Sequence, residues 1–279
     1  MPMKSIKGYI LLTRPLNCVI SFISIFIGGF VTGTIYPLDK LLLAAFSGTL
    51  IAAAANAVND VYDLAIDRVN KPERPLPSGM VPPISAQVYA ISLFVVGVGL
   101  GCLIHWAGFT IAILTSILLY LYSSHLKRTV LWGNLTVAFI SGLAFVYGGL
   151  AVGRTKQALI VGGFALFYHL AREIIKDAED VEGDARDGAV TLPIRYGIRS
   201  ALVVATIVIC LLIVLTILPY TLGIFSAAYL WVVVLGVDAF LAFVMISMWR
   251  DASPANLRRL ALWMKFNMFV GLVAVYLGS

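Results

Sequence analysis

The sequence predicts an all-α integral membrane protein, a bundle of nine transmembrane helices, from three observations. Apolar residues make up 61% of the 279 positions and charged residues only 12%, and the mean hydropathy of +0.97 is far above what the core of a water-soluble domain requires. Apolar stretches of about 20 residues, long enough to cross a hydrocarbon core of roughly 30 Å as a helix, follow one another almost end to end. Polar residues accumulate in only two long gaps, 58–83 and 177–198.

The expected spans are 9–35, 38–57, 84–104, 107–124, 131–151, 157–176, 199–219, 223–248 and 259–278. The first follows Lys4 and Lys7, and its apolar run continues past Phe30, longer than the core of a signal peptide. No Pro/Gly/Ser-rich linker divides the chain, so 1–279 is expected to form a single domain with motif loops at 58–83 and 177–198. Cys18, Cys102 and Cys210 are odd in number and far apart, which suits packing rather than a disulfide framework or a zinc site. His105, His125 and His169 lack ligand spacing, and Asp238, inside the eighth span, calls for an interhelical partner.

Nine spans put the N-terminus and the even-numbered gaps on one side. That side carries sixteen basic residues: Lys4, Lys7, Arg14, Arg68, Lys71, Arg74, Lys127, Arg128, Arg172, Lys176, Arg186, Arg195, Arg199, Arg250, Arg258 and Arg259. The other side carries Lys40, Arg154 and Lys156, and Lys265 lies within the last span. The excess of cations marks the first side as cytoplasmic in a multi-pass protein of the cell membrane. The net charge of +6 then reflects topology and an anionic substrate, with no nucleic-acid partner implied.

Acidic residues carry the functional signal. Eleven of fourteen gather at the two gaps: Asp60, Asp63, Asp67, Glu73, Glu173, Asp177, Glu179, Asp180, Glu182, Asp184 and Asp187. In the first, Asn59, Asp63 and Asp67 recur every four residues beside Asn56 and Asp60, and on a helix successive members lie roughly 6 Å apart along one face. In the second, Asp177, Asp180 and Asp184 have i, i+3, i+7 spacing. Such faces suit Mg²⁺, which takes oxygen ligands and is held by one or two carboxylates while phosphate oxygens and water complete its shell. Arg68, Lys71 and Arg74 follow the first motif, Lys127 and Arg128 lie after the fourth span, and Arg172 and Lys176 precede the second motif. Interleaved cations let a site hold a diphosphate as well as a metal, and neutralise charge as the diphosphate departs.

These residues resemble the UbiA superfamily of intramembrane prenyltransferases. Asn59-Asp60-Val-Tyr-Asp63-Leu-Ala-Ile-Asp67-Arg68 with Arg74-Pro-Leu-Pro-Ser78-Gly79 is similar to its first signature, and Asp177-Ala-Glu-Asp180-Val-Glu-Gly-Asp184 to its second. Arg14-Pro15-Leu-Asn17, Leu126-Lys127-Arg128 and Gly133-Asn134 also resemble family positions. A Tyr-x₃-Lys element found in some members is displaced, with Tyr122 five residues before Lys127. The stretch Arg172 to Asp184 and Thr191-Leu-Pro-Ile-Arg-Tyr-Gly197 look most like the archaeal geranylgeranyltransferases of ether-lipid biosynthesis.

The resemblance implies nine helices around a central cavity with a cytoplasmic cap. It also implies Mg²⁺-dependent transfer from geranylgeranyl diphosphate to geranylgeranylglyceryl phosphate, among membrane lipids. By the same resemblance Asn59, Asp60, Asp63, Asp67, Asp177, Asp180 and Asp184 form the catalytic set, its six aspartates holding the metal. Arg14, Asn17, Asn56, Arg68, Lys71, Arg74, Tyr122, Lys127, Arg128, Arg172 and Lys176 are implied for substrate. An aromatic or quinone precursor, haem or a chlorophyllide remains an alternative acceptor. A secondary transporter is the reading from another class, and it is disfavoured because the charges gather at one interface rather than at mid-bilayer. A CDP-alcohol phosphotransferase lacks its Asp-Gly-x₂-Ala-Arg element here.

Overall fold

The computed structural model describes residues 2–186 and 188–278, and Asp187, counted in the second acidic gap, lies outside them. In chain order the α-helices are α1 (Pro2–Leu12), α2 (Pro15–Phe30), α3 (Leu38–Tyr62), α4 (Leu64–Asn70), α5 (Pro83–Cys102), α6 (Trp106–Ser124), α7 (Trp132–Ala151), α8 (Thr155–Glu179), α9 (Val181–Arg186), α10 (Leu192–Tyr196), α11 (Ile198–Thr221), α12 (Ala227–Val232), α13 (Ala239–Arg250) and α14 (Pro254–Gly278). A π-helical stretch, Val233–Asp238, joins α12 to α13 in one span. Among the described residues eight helices are long and apolar enough to cross a membrane, and the bent pair α1–α2 brings the number to nine if it counts as one span.

The expected first span, 9–35, is therefore broken. Its two pieces meet at 48° because Pro15 cannot continue the hydrogen-bonded ladder and disfavours the helical conformation in the residue before it. Arg14 responds by adopting φ of 49°, a left-handed conformation costly for a side chain with a Cβ. The Thr13 carbonyl is satisfied across the break by the Asn56 side-chain amide at 2.8 Å. The gaps 58–83 and 177–198 also differ from simple loops: α3 runs on to Tyr62, α8 to Glu179, and α4, α9 and α10 fill much of the remainder.

The chain forms two compact units that alternate along the sequence. The first comprises Met1–Gly29, Ile35–Leu126 and Ala144–Thr155, and the second Phe30–Thr34, Lys127–Leu143 and Lys156–Ser279. Small residues control packing in the first, as expected where lipid tails offer no hydrophobic contrast between helices. Ala44, Ala45, Ala53, Ala54 and Ala57 of α3 are buried, and a methyl group on Gly28 would stand 2.5 Å from the Phe145 carbonyl oxygen. Ser47 donates to the Gly97 carbonyl at 2.7 Å and accepts from the Tyr147 hydroxyl at 2.8 Å, tying α3, α5 and α7 by buried hydrogen bonds.

In the second unit, Gly142 of α7 meets Gly162 of α8 so closely that a Cβ would lie 2.5 Å from the Gly162 carbonyl oxygen. The π-helical stretch is held by Asn267, whose amide donates to the Gly236 carbonyl at 2.8 Å. Asp238 finds its interhelical partner in the Thr216 hydroxyl, 3.2 Å from both carboxylate oxygens. His105 accepts from the Ala107 amide and His125 contacts Ser124, both local roles, and the three cysteines are unbridged.

Candidate active site

In the first unit the acidic motif occupies the end of α3, a one-residue break and α4. Asp63 is the break: φ of −89° and ψ of 2° end α3, while its own carbonyl accepts the Asp67 amide at 2.8 Å and starts the next helix. That turn separates the aspartates into two environments. Asp60 and Asp67 are 3% and 4% exposed, and burial at that depth demands compensation for their charge. Arg14 supplies one guanidinium, 2.5 Å from Asp60, and Arg74 the other, 2.6 Å from Asp67 and 3.4 Å from Asp60. Two carboxylates and two guanidiniums thus close a network of balanced charge.

Each arginine is delivered by a local feature. The left-handed turn before Pro15 aims Arg14 at α3, and the turns after Lys71 present Arg74, the chain being anchored by Leu76 and Val81 against Leu12, Ala57, Val58, Ala86 and Ala90. Asp63 is half-buried, and one of its oxygens accepts the Asn59 amide at 2.9 Å. Asn17 approaches Asn56 at 3.4 Å, so Arg14, Asn17, Asn56, Asn59, Asp60, Asp63, Asp67 and Arg74 form one neighbourhood. Arg68 and Lys71 point to solvent, and Tyr122 is half-buried on α6.

In the second unit the motif covers the last turn of α8 and all of α9. Asp177 is held through Oδ2 by the Asn134 amide of α7 at 2.8 Å. Asp180 is exposed, and its carboxylate lies over Gly183, where a Cβ would come within 2.8 Å of the carboxyl carbon. Asp184 is half-buried, and its carbonyl accepts the Ala189 amide at 2.9 Å. Arg172 and Lys176 both hold Glu173, each at 2.9 Å. Arg258 grips Glu179 with two nitrogens at 2.6 and 2.7 Å. Arg128 is exposed while its carbonyl accepts the Val190 amide at 3.0 Å, and neighbouring Lys127 is half-buried.

Among the described residues no three acidic, histidine or cysteine side chains are grouped to hold a metal by themselves. That arrangement fits Mg²⁺ bound with a phosphorylated substrate, which needs only one or two carboxylates per ion beside phosphate oxygens and water. Asp63 and Asp177, which accept from the Asn59 and Asn134 amides, are hard oxygen donors of the right chemistry. Sequence spacing gave no hint that Asn134 serves Asp177, 43 residues away, or that Glu173 organises Arg172 and Lys176.

The UbiA prenyltransferase family model matches residues 21–270. The digeranylgeranylglyceryl phosphate synthase of Methanopyrus kandleri is 39% identical over 96% of this chain and 97% of its own length, and that of Methanothermobacter thermautotrophicus 36% identical over 97% and 95%. A solved structure from work on digeranylgeranylglyceryl phosphate synthase in membranes superposes with a TM-score of 0.90 at 32% identity, over 98% of both chains. A UbiA homologue from Archaeoglobus fulgidus bound to DMAPP and Mg²⁺ shares the fold, with a TM-score of 0.75 at 20% identity over 96% of this chain and 99% of its own. The fold is that of an intramembrane prenyltransferase, and the chain belongs to the UbiA prenyltransferase family.

Proposed function

We propose that this chain transfers the geranylgeranyl group of geranylgeranyl diphosphate to the hydroxyl of geranylgeranylglyceryl phosphate, forming an ether and releasing diphosphate. The observation that carries this reading is the near full-length similarity to enzymes named for that product, 39% over 96% of this chain for the Methanopyrus kandleri enzyme. The Mg²⁺ requirement rests on the oxygen donor set and on the Mg²⁺ and prenyl diphosphates bound by the Archaeoglobus fulgidus homologue.

Bound Mg²⁺ supplies positive charge to the departing diphosphate. In this reading Asp63 with Asn59 in the first motif, and Asp177 with Asp180 and Asp184 in the second, would supply oxygen ligands to Mg²⁺. Asp60 and Asp67 act by fixing Arg14 and Arg74, so that the motif keeps its shape when an anion approaches. Arg68, Lys71, Lys127, Arg128, Arg172 and Lys176 bind the phosphate oxygens, while Asn17, Asn56 and Tyr122 line the donor. The bond between the allylic carbon and the diphosphate oxygen breaks with its electron pair on diphosphate. The acceptor oxygen forms the ether bond, and its hydroxyl proton is released.

The protein is a multi-pass membrane protein, and we propose that its N-terminus and both motifs face the cytoplasm, on the strength of the sixteen-to-three division of basic residues. Detergent-purified protein given Mg²⁺, geranylgeranyl diphosphate and geranylgeranylglyceryl phosphate should form one ether product per diphosphate released, read by mass spectrometry. Prenylation of an aromatic or quinone precursor instead, with no ether product, overturns the acceptor assignment.

A further inference from the structure

In each motif an asparagine amide donates to one aspartate, yet the two motifs obtain that amide differently. In the first, Asn59 stands one helical turn before Asp63 and donates to its Oδ2 at 2.9 Å. In the second, the position one turn before Asp177 is Glu173, an acceptor already engaged by Arg172 and Lys176. The amide comes instead from Asn134 near the start of α7, 2.8 Å from Asp177 Oδ2. Asn134 is itself buried, at 7% exposure, so its amide is not a solvated group that happens to lie nearby. No hydrogen bond reaches Asp177 Oδ1 among the described residues.

We infer that Asn134 is a positioning residue for metal binding: it supplies from α7 the amide that Asn59 supplies from within its own motif, and turns the other oxygen of Asp177 toward the cation. Holding one carboxylate oxygen fixes the rotation of the group, which a lone aspartate at a helix end must otherwise surrender on binding. The close packing of α7 and α8 at Gly142 and Gly162 gives the donor a rigid support. The inference rests on the reading that Asp177 holds the metal.

The test is Mn²⁺ binding with inorganic diphosphate, followed by electron paramagnetic resonance on purified protein without turnover. Asn134→Ala and Asn134→Leu, the second retaining side-chain volume, should each weaken Mn²⁺ binding roughly 10–100-fold, the usual cost of losing a partner that orients a metal ligand. Neither should weaken it further in the Asp177→Ala background. Metal-free melting temperatures near that of the parent identify the variant that reports binding rather than folding. Unchanged Mn²⁺ affinity in a folded Asn134 variant, while Asp177→Ala loses the metal, overturns the positioning role alone. Unchanged affinity in Asp177→Ala overturns the metal assignment beneath it.

Discussion

In the first acidic motif two of three aspartates are buried and shared between Arg14 and Arg74, whereas in the second Asp180 is exposed and Asp177 meets an amide instead of a guanidinium. The two regions carry similar spacing and the same residue types, but they distribute charge differently. Around Asp60 and Asp67 the positive charge is internal to the motif, so that pair resists competition from a cation. At Asp177 the partner is a neutral amide, which holds one oxygen without placing a guanidinium against it. The same residue type thus meets a guanidinium in one motif and a neutral amide in the other, and the difference lies in what faces each oxygen.

Removal of divalent cation with a chelator should abolish transfer, with Mg²⁺ restoring it; turnover that survives chelation removes the metal from both motifs at once. Asp63→Ala and Asp177→Ala should each lower turnover by roughly 10²–10³-fold, the scale of losing one group that stabilises developing charge, while the protein remains folded in detergent. Equal retention of activity in both would erase the amide-held half of the contrast.

Arg74→Met tests the arginine-held half, since it leaves Asp67 buried without its cation and Asp60 with one partner fewer. Breaking a fully buried pair costs roughly 3–5 kcal/mol, and because Arg74 is 22% exposed solvent should reduce that somewhat. A denaturation midpoint equal to the parent's would show that the network carries no stability. Gly183→Ala pushes a methyl into the Asp180 carboxylate and should raise the Mg²⁺ concentration for half-maximal rate a few-fold with an unchanged melting temperature. The smallest effect is expected of Arg258→Ala, whose partner Glu179 lies beside an arginine 76% exposed: about 1 kcal/mol or less, read from the same denaturation curve.

Much of the fold was legible because the bilayer imposes a length and a polarity on every span. The stretches at 84–104, 107–124 and 131–151 correspond closely to α5, α6 and α7. The first span misled, since hydropathy passes smoothly through Arg14-Pro15 while the backbone does not. The helical extension of α3 to Tyr62 and of α8 to Glu179 was also hidden, because charged residues lower hydropathy without breaking a helix that has polar partners for them.

Composition and spacing along the chain are enough for the class of protein, most of its membrane spans and the two sets of carboxylates. Which carboxylates meet an arginine and which meet an amide depends on the folded arrangement. Arg14 reaches Asp60 over 46 residues and Asn134 reaches Asp177 over 43, and no local periodicity encodes such contacts. The first depends on the turn before Pro15 and the packing of Leu12 on Ala57, the second on the approach of α7 and α8 at Gly142 and Gly162.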